Sequence, residues 1–270
     1  QVIPIDDYLA IRPEKEARLR KLINDGRIHL GPWYNQPDEF IVSGECLIRN
    51  LLLGLHKCKK YGGYLASGYV PDCFGHISQL PQILAGFGID NAIFFRGITM
   101  DQSDAQFMWE SPDGTNVLAI KLPDKNAYSV FLYCFLETLR NDDKPVDKDQ
   151  VLSEYKGLLK DCLEERPTSS QFLLIDGVDH VFAQPKTPQI INIVNESEDE
   201  MQMVHSTIPA FLEAFRKEDP KLEAISGELR WSNRKWGLQA LLAHVVSSRT
   251  DIKQASYNCE TLLEKYAEPL

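Results

Sequence analysis

The strongest constraint on this chain is a rhythm. Between residues 27 and 97 a short apolar run, a polar loop and a helix-period stretch follow one another and then repeat. Arg27 to Trp33 has strand character and leads into Pro37-Asp38-Glu39. Ser43-Gly44-Glu45 then opens a helix whose Leu47, Ile48, Leu51, Leu52 and Leu55 recur on one face as far as Tyr61. Gly68 to Val70 is the next strand, Gln79 to Phe87 the next helix, and Asn91 to Arg96 the third strand, with Gly97 directly after it. Such alternation folds as a parallel sheet wound by right-handed crossovers, so the expected class is α/β. Each strand ends in polar residues: Pro37-Asp38-Glu39, Asp72 and Arg96. In parallel folds those ends share one face, where the chemistry sits.

The stretch Gly68 to Gln82 is the centre of the pattern. Its apolar run breaks at Pro71, presents one carboxylate, Asp72, and turns at Gly75. Ser78 is placed to cap the following helix, with Pro81 in its first turn. Asp72 reads either as a functional carboxylate at a strand end or as a cap for that helix.

Elsewhere, Pro13 to Asp25 is helical, with Leu19, Leu22 and Ile23 on one face. Phe107 to Trp109 and Asn116 to Lys121 flank Asp113-Gly114, a hairpin expected to sit as an excursion from the main sheet. Residues 141–145 read as a loop and Val151 to Leu163 as a helix. Gln171 to Ile175 is a near-continuous apolar run, expected as a strand buried on both faces and ending in Asp176-Gly177-Val178-Asp179-His180. Pro188 to Asn195 and Pro209 to Lys217 read as helices, Met203 to His205 as a short strand, and 238–266 as the start of a separate helical segment.

A net charge of −10 argues against nucleic acid or an anionic membrane as the main partner. No apolar run approaches the ~18 residues of a membrane span. The six cysteines form no Cys-x-x-Cys pair, and several lie in apolar patterns. That suits reduced, buried thiols, so the cytoplasm is the expected location. The chain begins at Gln1 in mid-pattern and stops just after a helical run, as a piece of a longer protein does. A leader on that protein stays open, and so does a homo-oligomer.

Two carboxylates across one strand-end mouth can divide labour, one ionised as nucleophile and one protonated as acid. Asp72 and Asp179 are placed for this, and Arg96, one βα unit after Asp72, is placed to keep it ionised. Asp38 and Glu39 read better as structural caps. Asp72 with His76 and His180 would suit zinc, but neither histidine has metal-ligand spacing, and a lone histidine is more often a hydrogen-bonded core or loop residue. Trp33, Tyr34, Tyr69 and Phe74 flank the polar ends, as sugar-stacking rings or as packing.

Several motifs together resemble glycoside hydrolase family 38, the α-mannosidases, and within it the bacterial branch with its mannosylglycerate-type hydrolases. They are Asp7 to Glu14, Gly31-Pro32-Trp33-Tyr34 with Pro37-Asp38-Glu39, Val42 to Glu45 with Ile48 to Leu51, and Gly68 to His76 with Gln79 to Pro81. Phe95-Arg96-Gly97, Asp176 to His180, Gly227 to Arg230, Ser247 to Arg249 with Lys253-Gln254, and Ala267 to Leu270 follow in the family's order.

The resemblance implies a retaining α-mannosidase on a parallel (β/α)7 barrel. Residues 1–235 would be the catalytic domain lacking its first β/α unit, and 236–270 the start of the helical middle domain. Asp72 would be nucleophile and zinc ligand, Arg96 its contact and Asp179 the general acid/base. Trp33, Asp38, Phe74 and His180 would meet a mannoside substrate. Zinc would bind sugar hydroxyls rather than activate water. Of the family's zinc ligands only Asp72 has a counterpart here, so the remaining ligands are expected outside this chain. The alternatives are a metal-dependent carbohydrate deacetylase, which needs imidazoles beside its carboxylate, and a non-catalytic sugar-binding module.

Overall fold

Five short strands make one sheet: β1 (Gly68–Val70), β2 (Asn91–Phe94), β3 (Gln106–Glu110), β4 (Asn116–Lys121) and β5 (Ala224–Ser226). The computed structural model describes residues 1–140, 144–198, 201–231, 241–242 and 245–270. The order across the sheet is β1-β2-β4-β3-β5. β1, β2 and β4 run parallel, β3 pairs antiparallel with β4, and β5 pairs parallel with β3. Among the described residues this is a mixed, open sheet and not a closed parallel barrel.

The pleat's period of two sorts the side chains into two layers. Val70, Ala92, Phe94, Val117 and Ala119 face one core with Leu51, Leu80 and Leu84. Ile93, Phe95, Leu118 and Ile120 face another with Phe211, Leu212 and Phe215. The first layer is covered by α3 (Gly44–Tyr61) and α4 (Leu80–Gly86), and the second by α9 (Ile208–Lys217). At the N-terminus, α1 (Ile3–Ile11) and α2 (Glu16–Asn24) pack with the end of α3 around Val2, Leu19, Ile23, Leu30 and Cys58. A helical corner of α5 (Val130–Cys134), α6 (Leu136–Arg140), α7 (Lys148–Glu164) and α8 (Thr187–Ser197) closes its own core around Phe135, Tyr155, Leu158 and Ile190. α10 (Thr250–Leu262) ends the chain with no buried residue.

Local chemistry explains the helix starts. The Ser43 hydroxyl accepts from the Cys46 N–H at 3.0 Å, Asp147 from Gln150 at 2.8 Å and Thr207 from Ala210 at 3.3 Å. Ser78 does not cap α4; its carbonyl accepts from the Ser111 hydroxyl instead.

The departures concern pairing. Residues 27–33 form no strand, and on that side of β1 the Tyr69 carbonyl accepts from the Gln36 side-chain amide at 3.0 Å. The hairpin is no excursion, since β4 lies in mid-sheet beside β2. Residues 171–175 form no strand either. Both edges of β4 are occupied, and the outer edge of β3 is taken by β5. They keep the alternation without a ladder: Phe172 and Leu174 pack into the helical corner, Leu173 and Ile175 against the sheet. Met203 to His205 is likewise irregular. Of the helix expected over 238–266, the described residues 241–242 and 245–249 are not α-helical and the α-helix runs from Thr250, while 238–240 and 243–244 lie outside the described residues. The expected domain boundary at 235/236 lies outside the described residues, as do residues 141–143 of the expected loop.

No helix among the described residues is long and apolar enough to cross a membrane. All six cysteines are free thiols.

Candidate active site

Register builds the site. β1 and β2 pair with Gly68 opposite Ala92 and Val70 opposite Phe94, an offset of 24 residues. The same offset carried past the strand ends sets Asp72 beside Arg96, and Arg96 Nε donates to Asp72 Oδ1 at 2.7 Å. The arginine side chain is 12% exposed and the aspartate 40%. The guanidinium lies over the rings of Phe95 and Phe74, at 5.1 and 5.6 Å from their centroids. Two aromatic faces and a charge-assisted hydrogen bond therefore fix its direction.

The loop carrying Asp72 is held from below. The Cys73 thiol donates to the Pro37 carbonyl at 2.9 Å. Burial, with Glu39, Asp38 and Asp72 nearby, pushes that thiol well above its ordinary range. A Cβ on Gly75 would stand 3.0 Å from the Leu229 carbonyl oxygen, and its φ of +95° needs glycine. His76 exchanges two backbone hydrogen bonds with Leu229.

His76 is wholly buried, with Nδ1 2.7 Å from Glu39 Oε1 and its ring against Phe94 and Trp109. Glu39 also accepts from the Ile77 N–H at 2.9 Å. Glu39 is thus an internal anchor for the turn after Asp72, in line with its reading as a cap. Asp38 beside it is half-buried; desolvation and the Glu39 charge raise its carboxyl above the ordinary range.

Trp33, expected as a sugar platform, is fully buried in the core with Leu51 and Val70 and offers no ring face to a ligand. Phe74 stands beside Arg96. Tyr69 is covered enough that burial pushes its phenol far up.

Asp179 and His180 are exposed on the loop after 171–175. His180 takes φ +65°, a left-handed conformation. Asp176 is engaged elsewhere, accepting from the Thr187 hydroxyl at 2.7 Å at the start of α8. Asp179 accepts from the Tyr128 hydroxyl at 3.3 Å. Tyr128 links the two halves of the site. Its phenol is pushed up to about 12 by burial, then by the negative charges of Asp72 and Asp179, with Arg96 acting against them. One phenol thus stands in the field of both carboxylates. The motifs did not mark Tyr128. The signal that could have found it is its position after β4, hidden while the hairpin was read as lying off the sheet.

A zinc site needs about four nitrogen, sulfur or oxygen donors around one point. Among the described residues, the group whose donor atoms come within 4.8 Å of one another is Cys46, Glu260 and Glu264, where α10 meets the start of α3. Asp72 belongs to no such group, and the His76 imidazole is turned into the core on Glu39. The donors of this chain around Asp72 do not fit zinc by themselves.

Residues 6–236 match the family described as glycosyl hydrolases family 38 N-terminal domain. A putative mannosylglycerate hydrolase of Halalkalibacterium halodurans is 37% identical over all of this chain, which spans 30% of that protein's length. The crystal structure of an alpha-mannosidase from Enterococcus faecalis superposes with a TM-score of 0.74 at 33% identity, over 85% of this chain and 25% of that one. A second Enterococcus faecalis structure, of a protein in glycosyl hydrolase family 38, superposes with a TM-score of 0.65 at 27% identity, over 84% of this chain and 23% of that one.

Proposed function

The chain belongs to glycosyl hydrolase family 38, as part of its N-terminal domain, and from there we propose that the protein it helps to build hydrolyses α-mannosidic bonds with retention of configuration. In the first step an Asp72 oxygen bonds to the anomeric carbon. The glycosidic C–O bond breaks and Asp179 delivers its proton to the departing oxygen. In the second step Asp179 takes a proton from water, the water oxygen bonds to the anomeric carbon, and the Asp72 ester bond breaks. Arg96 holds Asp72 through its 2.7 Å hydrogen bond. Phe74, Asp38 and His180 are assigned to the sugar's surroundings.

The chain of contacts from Asp179 through the Tyr128 hydroxyl, the Phe95 ring and Arg96 to Asp72 carries the proposal. Pure binding has no need of two carboxylates so linked. A deacetylase needs imidazoles on a metal beside its carboxylate, and His76 is committed to Glu39. The substrate class is an α-mannoside, with mannosylglycerate the first to try. Any zinc in the whole protein would draw on donors besides Asp72. In the family fold this sheet would be one arc of a (β/α)7 barrel.

The test is to trap the intermediate. Treated with a 5-fluoro-mannosyl fluoride, the full-length protein should carry a mannosyl ester on the peptide containing Asp72. Asp72→Ala should abolish both the ester and α-mannosidase activity. An ester on another carboxylate, or inverted product, would refute the assignment.

A further inference from the structure

The loop carrying Tyr128 is built with unusual care. Lys121, Asp124 and Glu165 form a buried ion cluster just before it, with Lys121 Nζ 3.0 Å from Asp124 and 2.7 Å from Glu165. The Asp124 N–H donates to Glu165 at 2.7 Å and the Met100 N–H to Asp124 at 2.8 Å. Ala127, next to the tyrosine, takes φ +51°, a strained position for a residue with a Cβ. On the other side, the Phe131 N–H donates to the Ile175 carbonyl at 3.2 Å, tying this loop to the segment that leads to Asp179. The Tyr128 ring meets Phe95 edge-on, centroids 6.5 Å apart, and Phe95 also carries the Arg96 guanidinium. The ring is therefore referenced to the Arg96–Asp72 pair, while its hydroxyl reaches Asp179.

We propose that Tyr128 is a positioning residue for the acid/base step, holding the Asp179 carboxyl at the leaving-group oxygen through its hydroxyl. The proposal rests on the reading of Asp179 as acid/base and adds a residue to it. The charged and titratable groups facing the phenol are Asp179, Asp72, Arg96 and Tyr69. With its phenol held up near 12, Tyr128 is a neutral donor across the working pH range. Its 3.3 Å contact is long for an O–H···O bond and leaves room to tighten once a sugar excludes water.

Asp179 matters most when the leaving group needs a proton and least when it departs readily, so leaving-group dependence separates aim from folding. In the full-length protein, Tyr128→Phe keeps the ring on Phe95 and removes the hydroxyl. It should lower kcat/KM for an alkyl α-mannoside about five- to tenfold, the worth of one hydrogen bond. For 2,4-dinitrophenyl α-mannoside kcat/KM, which reports the first step alone, should stay near wild type. Placing 3-fluorotyrosine at position 128, which keeps the hydroxyl, should leave the alkyl substrate's rate near wild type. O-methyltyrosine, which keeps the ring and oxygen but cannot donate, should reproduce the selective loss and gives the answer if the phenylalanine variant does not fold. Equal losses on both substrates, or no loss on either, would overturn the proposal. Asp179→Ala, run in parallel, should show the same selectivity more strongly. If it spares both substrates, the acid/base reading itself falls; if it behaves as expected while Tyr128→Phe does not, only the role of Tyr128 is lost.

Discussion

Lys121→Met is a sharp test of how this site is supported. The ammonium is fully buried against Asp124, also fully buried, and Glu165, 5% exposed, so its removal takes the cation away from two carboxylates held out of water. Breaking a buried ion pair by deleting one partner costs about 3–5 kcal/mol, against a total stability of roughly 5–15 kcal/mol for a domain. The loss should depend on pH in a definite direction. Burial raises the Glu165 carboxyl above its ordinary 4.5, with Lys121 the main influence pulling it back. For a carboxyl raised in the folded state, the favourable contribution is complete below the unfolded value and is lost as pH rises through the folded one. Without Lys121 the folded value climbs further, so the deficit should be largest near neutrality and smallest below about pH 4.5. Urea unfolding of the wild type and Lys121→Met, followed by circular dichroism from pH 4 to pH 8, measures it. Adding Glu165→Leu should recover part of the loss, since the second change removes a stranded charge. A deficit under about 1 kcal/mol at neutral pH, or one that ignores pH, would refute the buried-cluster account.

Two further predictions concern the frame. A Cβ on Gly97 would stand 2.3 Å from the Leu229 carbonyl oxygen at φ +101°, whereas Gly114 has φ +84° and nothing within 4 Å. Gly114→Ala should therefore cost only the left-handed penalty, about 1–2 kcal/mol. Gly97→Ala should cost clearly more and displace the Gly97–Trp231 bridge beside Arg96; equal unfolding midpoints would contradict this. Hydrogen bonds from Ser170, Gln171 and Ser169 hold the exposed Glu218 carboxyl down to about 2. A depressed carboxyl adds stability above its unfolded value, and that contribution disappears as pH falls from about 4.5 towards 2. Glu218→Gln should accordingly melt below wild type at pH 6 and converge with it by pH 2 in a calorimetric series; a gap that persists at pH 2 would count against it.

Much of the frame is written locally. Helix faces repeat every three to four residues, and Ser43 caps its own helix, so α3, α7 and α9 are legible from neighbours in the chain. The Asp72–Arg96 pair is nearly legible too. Two parallel strands joined by one helix carry a constant offset, so residues at matching distances past their ends become neighbours. What the chain by itself could not decide was pairing between distant segments. A strand needs a free edge, and edges are allotted by the whole sheet. The stretch 171–175 has the composition of a buried strand but lies beside β4 and β3, whose edges are occupied, and near 27–33 the Tyr69 carbonyl accepts from Gln36. Trp33 likewise has a platform's chemistry, and its burial follows from the packing of α3 and β1 around it. Tyr128 is the clearest case. Nothing in its neighbours along the chain marks it, and its contacts with Phe95 and Asp179 follow from β4 lying in mid-sheet beside β2, which brings a third loop to that end of the sheet.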